Sequence, residues 1–370
     1  MPTPRLSRRT VLTIGTASAL MGLSGGTVTA FANPPQGPAT PESALPGSDL
    51  QRQVDAITAT GVAGAAAEVM SPSGVRRAFA RTPAEGRFRI GSLTKTFTAT
   101  VALQLEGLKL DAPVRHWLPE VTRDITVRDL LQHTSGLLDP EIPALTSAEG
   151  YRAQRLRSYR PKELARAAFR LGTAPGRWSY ANTNYLLTAM LIERITGRSW
   201  AAEITERIIR PLGLDATSAP GTSPFIAGPH ARGWASFGSD TPLDVTLLNP
   251  SMAVGSGALI SSVHDLGRFY AALLGGELLP PARLAEMTTT VLAPGLGIEG
   301  ARYGLGIAEL PLPGGGSFYS HFGELLGYQA WAGVTTDGSR TAVVYVTGDG
   351  TEATMGAMAA LIEGGIGGSR

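Results

Sequence analysis

The chain has 370 residues, of which 43% are hydrophobic and 17% charged; that balance can bury a sizeable core, excludes a disordered polyelectrolyte, and allows one large domain or two ordinary ones. It contains no cysteine, which excludes disulfides, thiolate zinc sites, iron–sulfur clusters, cysteine nucleophiles and a lipidated-cysteine anchor. The formal charge is +2, and Lys95, Lys109 and Lys162 are the only lysines.

The N-terminus reads as an export signal over residues 1–32. Ser7-Arg8-Arg9-Thr10-Val11-Leu12 resembles the twin-arginine signature, a mildly apolar run follows to Ala30, and Ala30-Phe31-Ala32 offers a cleavage site. A transmembrane anchor is the alternative, but Gly and Thr dilute the run. Arg5, Arg8 and Arg9 lie in this segment with no acid, so the mature chain carries 29 basic and 30 acidic residues, a net of −1. With no basic cluster remaining, nucleic acid is not an expected partner. No later apolar stretch reaches the roughly 20 residues that span a bilayer. The expectation is a secreted, extracytoplasmic monomer exported by the twin-arginine route, without a membrane anchor after cleavage.

Residues 33–48 hold five prolines among Gly, Ser and Thr and read as an extended linker. Helical spacing begins near Leu50. Val62 to Met70 and Val75 to Ala80 flank Ser71-Pro72-Ser73-Gly74, a hairpin pattern. Phe88-Arg89-Ile90-Gly91 then leads into Ser92 and a mostly buried helix to about Glu106.

From about residue 110 to 250 the pattern is chiefly helical. Helices are expected over Ile125 to His133, Pro161 to Leu171, Asn184 to Ile195, and Trp200 to Arg210, the last ending at Pro211. Strands return at Phe318 to His321, Gly327 to Val334 and Thr341 to Val346, and Thr351 to Ile362 reads as a closing helix. Both ends of the domain at 49–365 should build one antiparallel sheet. Helices would cover it, with a helical lobe inserted between the sheet-forming ends and a cleft between the lobes.

Two motif matches carry no weight. Gly22-Leu23-Ser24-Gly25-Gly26 lies inside the signal segment, and Gly295-Leu296-Gly297-Ile298-Glu299-Gly300 opens no helix. The five histidines are scattered without zinc spacing, so a zinc hydrolase is disfavoured and no cofactor or metal is expected. For His116, His133, His230 and His264 a structural or surface role is the default.

Ser92-Leu93-Thr94-Lys95 is the informative piece. A three-residue step puts Ser92 and Lys95 on one helical face. There the hydroxyl sits among free backbone N–H groups, and the lysine can stabilise an alkoxide or, as a neutral amine, accept the serine proton. Tyr180-Ala181-Asn182 precedes a helix, and Ser320-His321-Phe322-Gly323 lies on a late strand.

With these pieces in this order, the chain resembles the serine hydrolases that include class C β-lactamases, D-alanyl-D-alanine carboxypeptidases and related esterases. The segments Arg89 to Phe97 (S-x-x-K), Ile125 to Leu137, Tyr180-Ala181-Asn182 (Y-x-N), Val254 to Ser262 and His321-Phe322-Gly323 (H-x-G) carry the likeness, which spans about residues 50–365. It implies an α+β, β-lactamase/transpeptidase-like fold, an α/β/α sandwich. It further implies Ser92 as the acylated nucleophile, Lys95 and Tyr180 as a coupled acid–base pair with either as the base, and Asn182, His321, Phe322, Gly323 and Glu324 as substrate-binding positions. Asn182 would hold Lys95 and the acyl portion, His321 could help lower the Tyr180 phenol, and the backbone N–H groups of Ser92 and Glu324 would form the oxyanion hole.

One departure stands out. The family's hydroxyl residues that bind a substrate carboxylate are replaced by Phe322 and Glu324, unless strand alternation points these away. The expected activity is therefore hydrolysis of an amide or ester in a small-molecule or peptide acyl substrate, cell-wall peptide being one candidate, with a neutral substrate preferred over penicillin or D-Ala-D-Ala tails. The competing reading is a penicillin- or peptidoglycan-binding protein of the same fold with little or no turnover.

Overall fold

The computed structural model describes residues 46–367 apart from Pro175 and Arg177; the expected signal segment and the linker up to residue 45 lie outside the described residues. Helix α1 spans Pro46–Ala59 and so starts inside the expected linker. Proline suits a first helical position, where its fixed φ fits and its missing N–H costs nothing. β1 (Gly64–Ser71) and β2 (Gly74–Ala80) form the expected hairpin, turning through Gly74 at φ +126°. β3 (Phe88–Arg89) leads through a tight 3-10 turn at Gly91–Leu93 into α2 (Thr94–Gln104). α2 is buried from Thr94 to Leu103, and its threonines are tolerated because their hydroxyls are bonded: Thr96 donates to Gly306 O at 2.7 Å and Thr98 to Gly255 O at 2.7 Å.

The middle of the chain supplies α3 (Val127–Gln132), α4 (Pro143–Thr146), α5 (Ala148–Gln154), α6 (Pro161–Phe169), α7 (Asn182–Thr196), α8 (Trp200–Ile204) and α9 (Arg210–Leu212). α3 opens with a capping box between Thr126 and Asp129 and closes on His133, held at φ +62°. The helix expected to stop at Pro211 does not. After α8 the backbone widens into a π turn over Thr205–Ile209 and continues through Pro211 in α9 to Gly213. The wider turn shifts the hydrogen-bond ladder just where the proline ring and its missing donor would break a regular one.

β4 (Trp234–Ala235) pairs with β5 (Leu243–Asp244), and β6 (Ile260–Ser261) pairs back to β3. α10 (Val263–Leu274) and α11 (Pro281–Thr288) follow. The tail adds β7 (Val291–Leu292), β8 (Arg302–Tyr303), β9 (Ala308–Pro311), β10 (Ser317–Leu325), β11 (Tyr328–Val334), β12 (Thr341–Thr347) and α12 (Glu352–Gly367). The sequence pattern showed the last three strands but not β7 to β9, whose two to four residues are too short for an alternation to register.

The main sheet runs β2-β1-β12-β11-β10-β9-β8-β7, with every pair antiparallel. β1 from the start of the domain lies against β12 near its end, Gly64 opposite Thr347 and Met70 opposite Thr341. Side-chain alternation divides these central strands between two cores. Ala65, Ala67 and Val69 of β1 and Ala342, Val344 and Val346 of β12 pack with α1 and α12, whereas Ala66, Val343 and Tyr345 join the larger core that contains α2, α7 and α10. Burial on both faces is why these strands are almost wholly apolar. The architecture is the expected α/β/α sandwich.

Candidate active site

The 3-10 turn that leads into α2 and the free edge of β10 create the site together. β9 pairs with β10 only as far as Ser320, which leaves the stretch Phe322–Glu324 open on that side. The turn carrying Ser92 fills the gap. A Cβ on Gly323 would fall 2.0 Å from Ile90 O, so only glycine lets the two backbones meet. The Glu324 backbone thereby lies against Gly91, the residue before Ser92, in the region where an oxyanion hole is expected.

Ser92 opens onto a cavity of about 690 Å³, whose lining also includes Tyr180, Asn182, Phe322, Gly323 and Glu324. Lys95, fully buried beneath it, has its Nζ 2.9 Å from Ser92 Oγ, 2.7 Å from Asn182 Oδ1 and 2.9 Å from Ser256 O. Burial pulls the Lys95 amine down to about 7, and the nearby Asp139 charge opposes that shift.

Asp139 was not singled out in the sequence, where Asp139-Pro140 reads as an ordinary loop. It organises the start of α7. Its carboxylate accepts from the Asn182 N–H at 2.8 Å, the Thr183 N–H at 2.8 Å, Thr183 Oγ1 at 2.9 Å and Asn182 Nδ2 at 3.0 Å. Ala181, at the capping position, has no side-chain acceptor to offer, so Asp139 supplies from a distance what a capping side chain normally would. The bond from Nδ2 also fixes which end of the Asn182 amide faces Lys95. Burial pushes the Asp139 carboxyl up, against the pull of these donors and of Lys95.

Tyr180 is 4% exposed, with the Lys95 Nζ 4.7 Å from its ring centroid and its hydroxyl directed at Ser92. The sequence reading looked to nearby cations to lower this phenol. Burial instead pushes it well up, so it stays protonated. His133 stacks on the Tyr180 ring at 4.2 Å and accepts at Nδ1 from the Ala181 N–H at 3.2 Å and from Asn184 Nδ2 at 3.0 Å. His133 thus has a structural role, and the structure it supports is the loop that carries Tyr180 and Asn182.

His321 does not line the cavity. It is 3% exposed, accepts at Nε2 from the Tyr303 hydroxyl at 2.9 Å and donates from Nδ1 to Phe322 O at 2.6 Å. Burial and the Lys95 charge pull its imidazole down to about 3, so it is neutral and offers Tyr180 no positive charge. Phe322 and Glu324, two residues apart on β10, share one face, and both line the cavity. Phe322 packs on Trp331 with ring centroids 4.0 Å apart. Glu324 is solvent-accessible within the cleft, and partial desolvation together with the Asp349 charge pushes its carboxyl up to about 7.

The family model described as Beta-lactamase matches residues 50–364. Among solved structures, the D-stereospecific amidohydrolase from Streptomyces sp. is 37% identical with a TM-score of 0.79, covering 84% of this chain and 98% of that one. A penicillin-binding protein of Bacillus subtilis (strain 168) is 29% identical over 273 residues, 65% of this chain and 56% of that protein. The teichoic acid D-alanine hydrolase of Staphylococcus aureus is 27% identical over 206 residues, 52% of this chain and 47% of that protein. The chain spans about half the length of the curated relatives it matches.

Proposed function

We propose that this chain, which belongs to the Beta-lactamase family, is an exported serine hydrolase that cleaves an amide or ester through an acyl-Ser92 intermediate. The hydrogen bonds around Lys95 carry this reading. A neutral amine has two hydrogens and one lone pair. Asn182 Oδ1 and Ser256 O can only accept, so they take the two hydrogens, and the lone pair is left facing Ser92 Oγ. With its amine near 7, a useful fraction of Lys95 is in that form at neutral pH.

Ser92 Oγ then attacks the substrate carbonyl as its proton passes to Lys95. The carbonyl oxygen becomes an oxyanion facing the Ser92 and Glu324 amides. The C–N or C–O bond breaks, and the departing amine or alkoxide takes the proton back from Lys95, with the Tyr180 hydroxyl, beside Ser92, placed to relay it. Water repeats the sequence on the acyl-enzyme: Lys95 accepts its proton, the hydroxyl attacks, and Ser92 is regenerated.

Phe322 and Glu324 both face the cavity. Phe322 offers a substrate carboxylate no hydrogen bond, and Glu324, once ionised above about pH 7, repels one, which supports the preference for substrates other than penicillin and D-Ala-D-Ala tails. The likeness to a D-stereospecific amidohydrolase supports D-amino acyl amides or esters as the acyl donors.

The experiment is labelling with a fluorophosphonate probe alongside turnover of p-nitrophenyl esters and nitrocefin. The expected result is one adduct on wild type, none on Ser92→Ala, and faster ester than nitrocefin hydrolysis. An adduct with no turnover of any substrate would favour the binding-protein reading, which the likeness to a penicillin-binding protein supports. Absence of any adduct on wild type would count against the enzyme reading.

A further inference from the structure

Among the described residues that line the active-site cavity, none is Lys, Arg or His, whereas three are acids: Asp139, Glu324 and Asp349. Asp139 is committed to Asn182 and Thr183. Glu324 and Asp349 are not so absorbed. Asp349 accepts from the Ser236 N–H at 2.7 Å and from the Ser236 hydroxyl, and these are neutral donors that leave its charge in place. The Asp349 charge acts on Glu324, and among the described residues no cation on the cavity wall relieves the pair.

A third acceptor lies in the same wall. Gln329, 9% exposed, stands directly opposite Glu324 in the β10–β11 register, and its Oε1 has no hydrogen-bond partner. A buried amide oxygen left unpaired beside two carboxylates is a cost the fold carries without return unless a donor arrives.

We propose that this acceptor wall reads a protonated amine on the substrate, so that the enzyme acts on amino acid amides or esters with a free α-ammonium group. The inference rests on the acyl-serine reading and adds the substrate class. The placement of the amine follows from Glu324 itself. Its backbone lies against Gly91, next to Ser92, and its side chain lines the same cavity as Ser92, so the charge it reads lies close to the carbonyl under attack. An α-ammonium is one carbon from that carbonyl. An acylated amine, having lost its charge and two donors, leaves Glu324, Asp349 and Gln329 Oε1 unanswered.

The test compares D-alanine p-nitroanilide with N-acetyl-D-alanine p-nitroanilide, and the L-isomers of each, on the full chain, with fluorophosphonate labelling run in parallel. Wild type should favour the free amine in kcat/KM by roughly ten- to a hundredfold, the range of a charge-assisted hydrogen bond. In Glu324→Gln that ratio should fall toward unity, and in Asp349→Asn by a smaller factor. Because the ratio is internal to each variant, a general loss of activity does not mimic the effect. Equal or better turnover of the N-acetyl substrate by wild type, or an unchanged ratio in Glu324→Gln, overturns the proposal while labelling of Ser92 leaves the acyl-serine reading standing. Absence of both labelling and turnover overturns the two together.

Discussion

Gly91 and Glu324 touch backbone to backbone. A Cβ on Gly91 would lie 2.5 Å from the nitrogen, carbonyl carbon and carbonyl oxygen of Glu324, and the residue holds φ at +52°. The nucleophile turn and the edge strand are therefore seated against each other through a position where no side chain fits. Gly91→Ala must push β10 away and, in the proposed mechanism, separate the Ser92 and Glu324 amides assigned to the oxyanion hole. The expected outcome is a loss of about 10²-fold or more in kcat in a protein that still folds, checked by steady-state kinetics and circular dichroism. Retention of wild-type kcat would remove these amides from the mechanism.

The Lys95 amine, drawn down to about 7, gives a sign for the pH profile. Only the neutral amine accepts the Ser92 proton, so kcat/KM should rise with pH through an apparent pKa near 7 on an uncharged ester. The Asp139 charge is what holds the amine up against burial. Asp139→Asn should therefore move this limb to lower pH. A limb that stays in place, or moves up, would show that Lys95 is not the titrating base.

His133 predicts a stability effect with its own pH dependence. Removing its ring in His133→Ala leaves the Ala181 N–H and the Asn184 amide without an acceptor, a cost of about 1–3 kcal/mol per buried group, with kcat falling as Tyr180 loses the ring stacked on it. Burial, Lys95 and His321 hold the folded His133 well below the usual histidine value. The unfolded chain therefore binds a proton below about 6.5 that the folded one refuses, and this contribution to stability is lost as pH falls. Urea denaturation between pH 7.5 and 5 should show a shallower decline in His133→Asn, whose side chain tolerates the positive φ, than in wild type.

Phe97 on α2 is fully buried and stacks on Phe269 with centroids 3.6 Å apart. Phe97→Ala should cost about 3–5 kcal/mol, measured by urea unfolding, because α2 is buried from Thr94 to Leu103 and has little room to collapse into the space left.

Export by the twin-arginine route is the remaining element of the proposal, supported by Arg8-Arg9 and the cleavage pattern at Ala30-Phe31-Ala32. Replacing both arginines with lysine should leave precursor inside the cell. Equal amounts of processed protein outside, seen on immunoblots of cell and medium fractions, would assign export to another route.

What the amino-acid sequence determined by itself was local and periodic: the hairpin at Gly74, the two-residue alternation of the late strands, the three-residue step from Ser92 to Lys95, and the segments that carry the family likeness. These are visible because each depends on neighbours a few positions away. The long-range relationships were decided only by the fold. Asp139 bonds to Asn182 and Thr183, more than forty positions along the chain, Ser256 lends Lys95 a carbonyl 161 positions away, and β7 to β9 complete the sheet with strands too short to show a pattern. Protonation was decided there too. The sequence reading left Lys95 and Tyr180 open as the base and allowed His321 a charge, but the free energy of a buried charge depends on how much water the surrounding chain removes and which donors remain within reach. That environment exists only once strands from both ends of the domain have closed around α2.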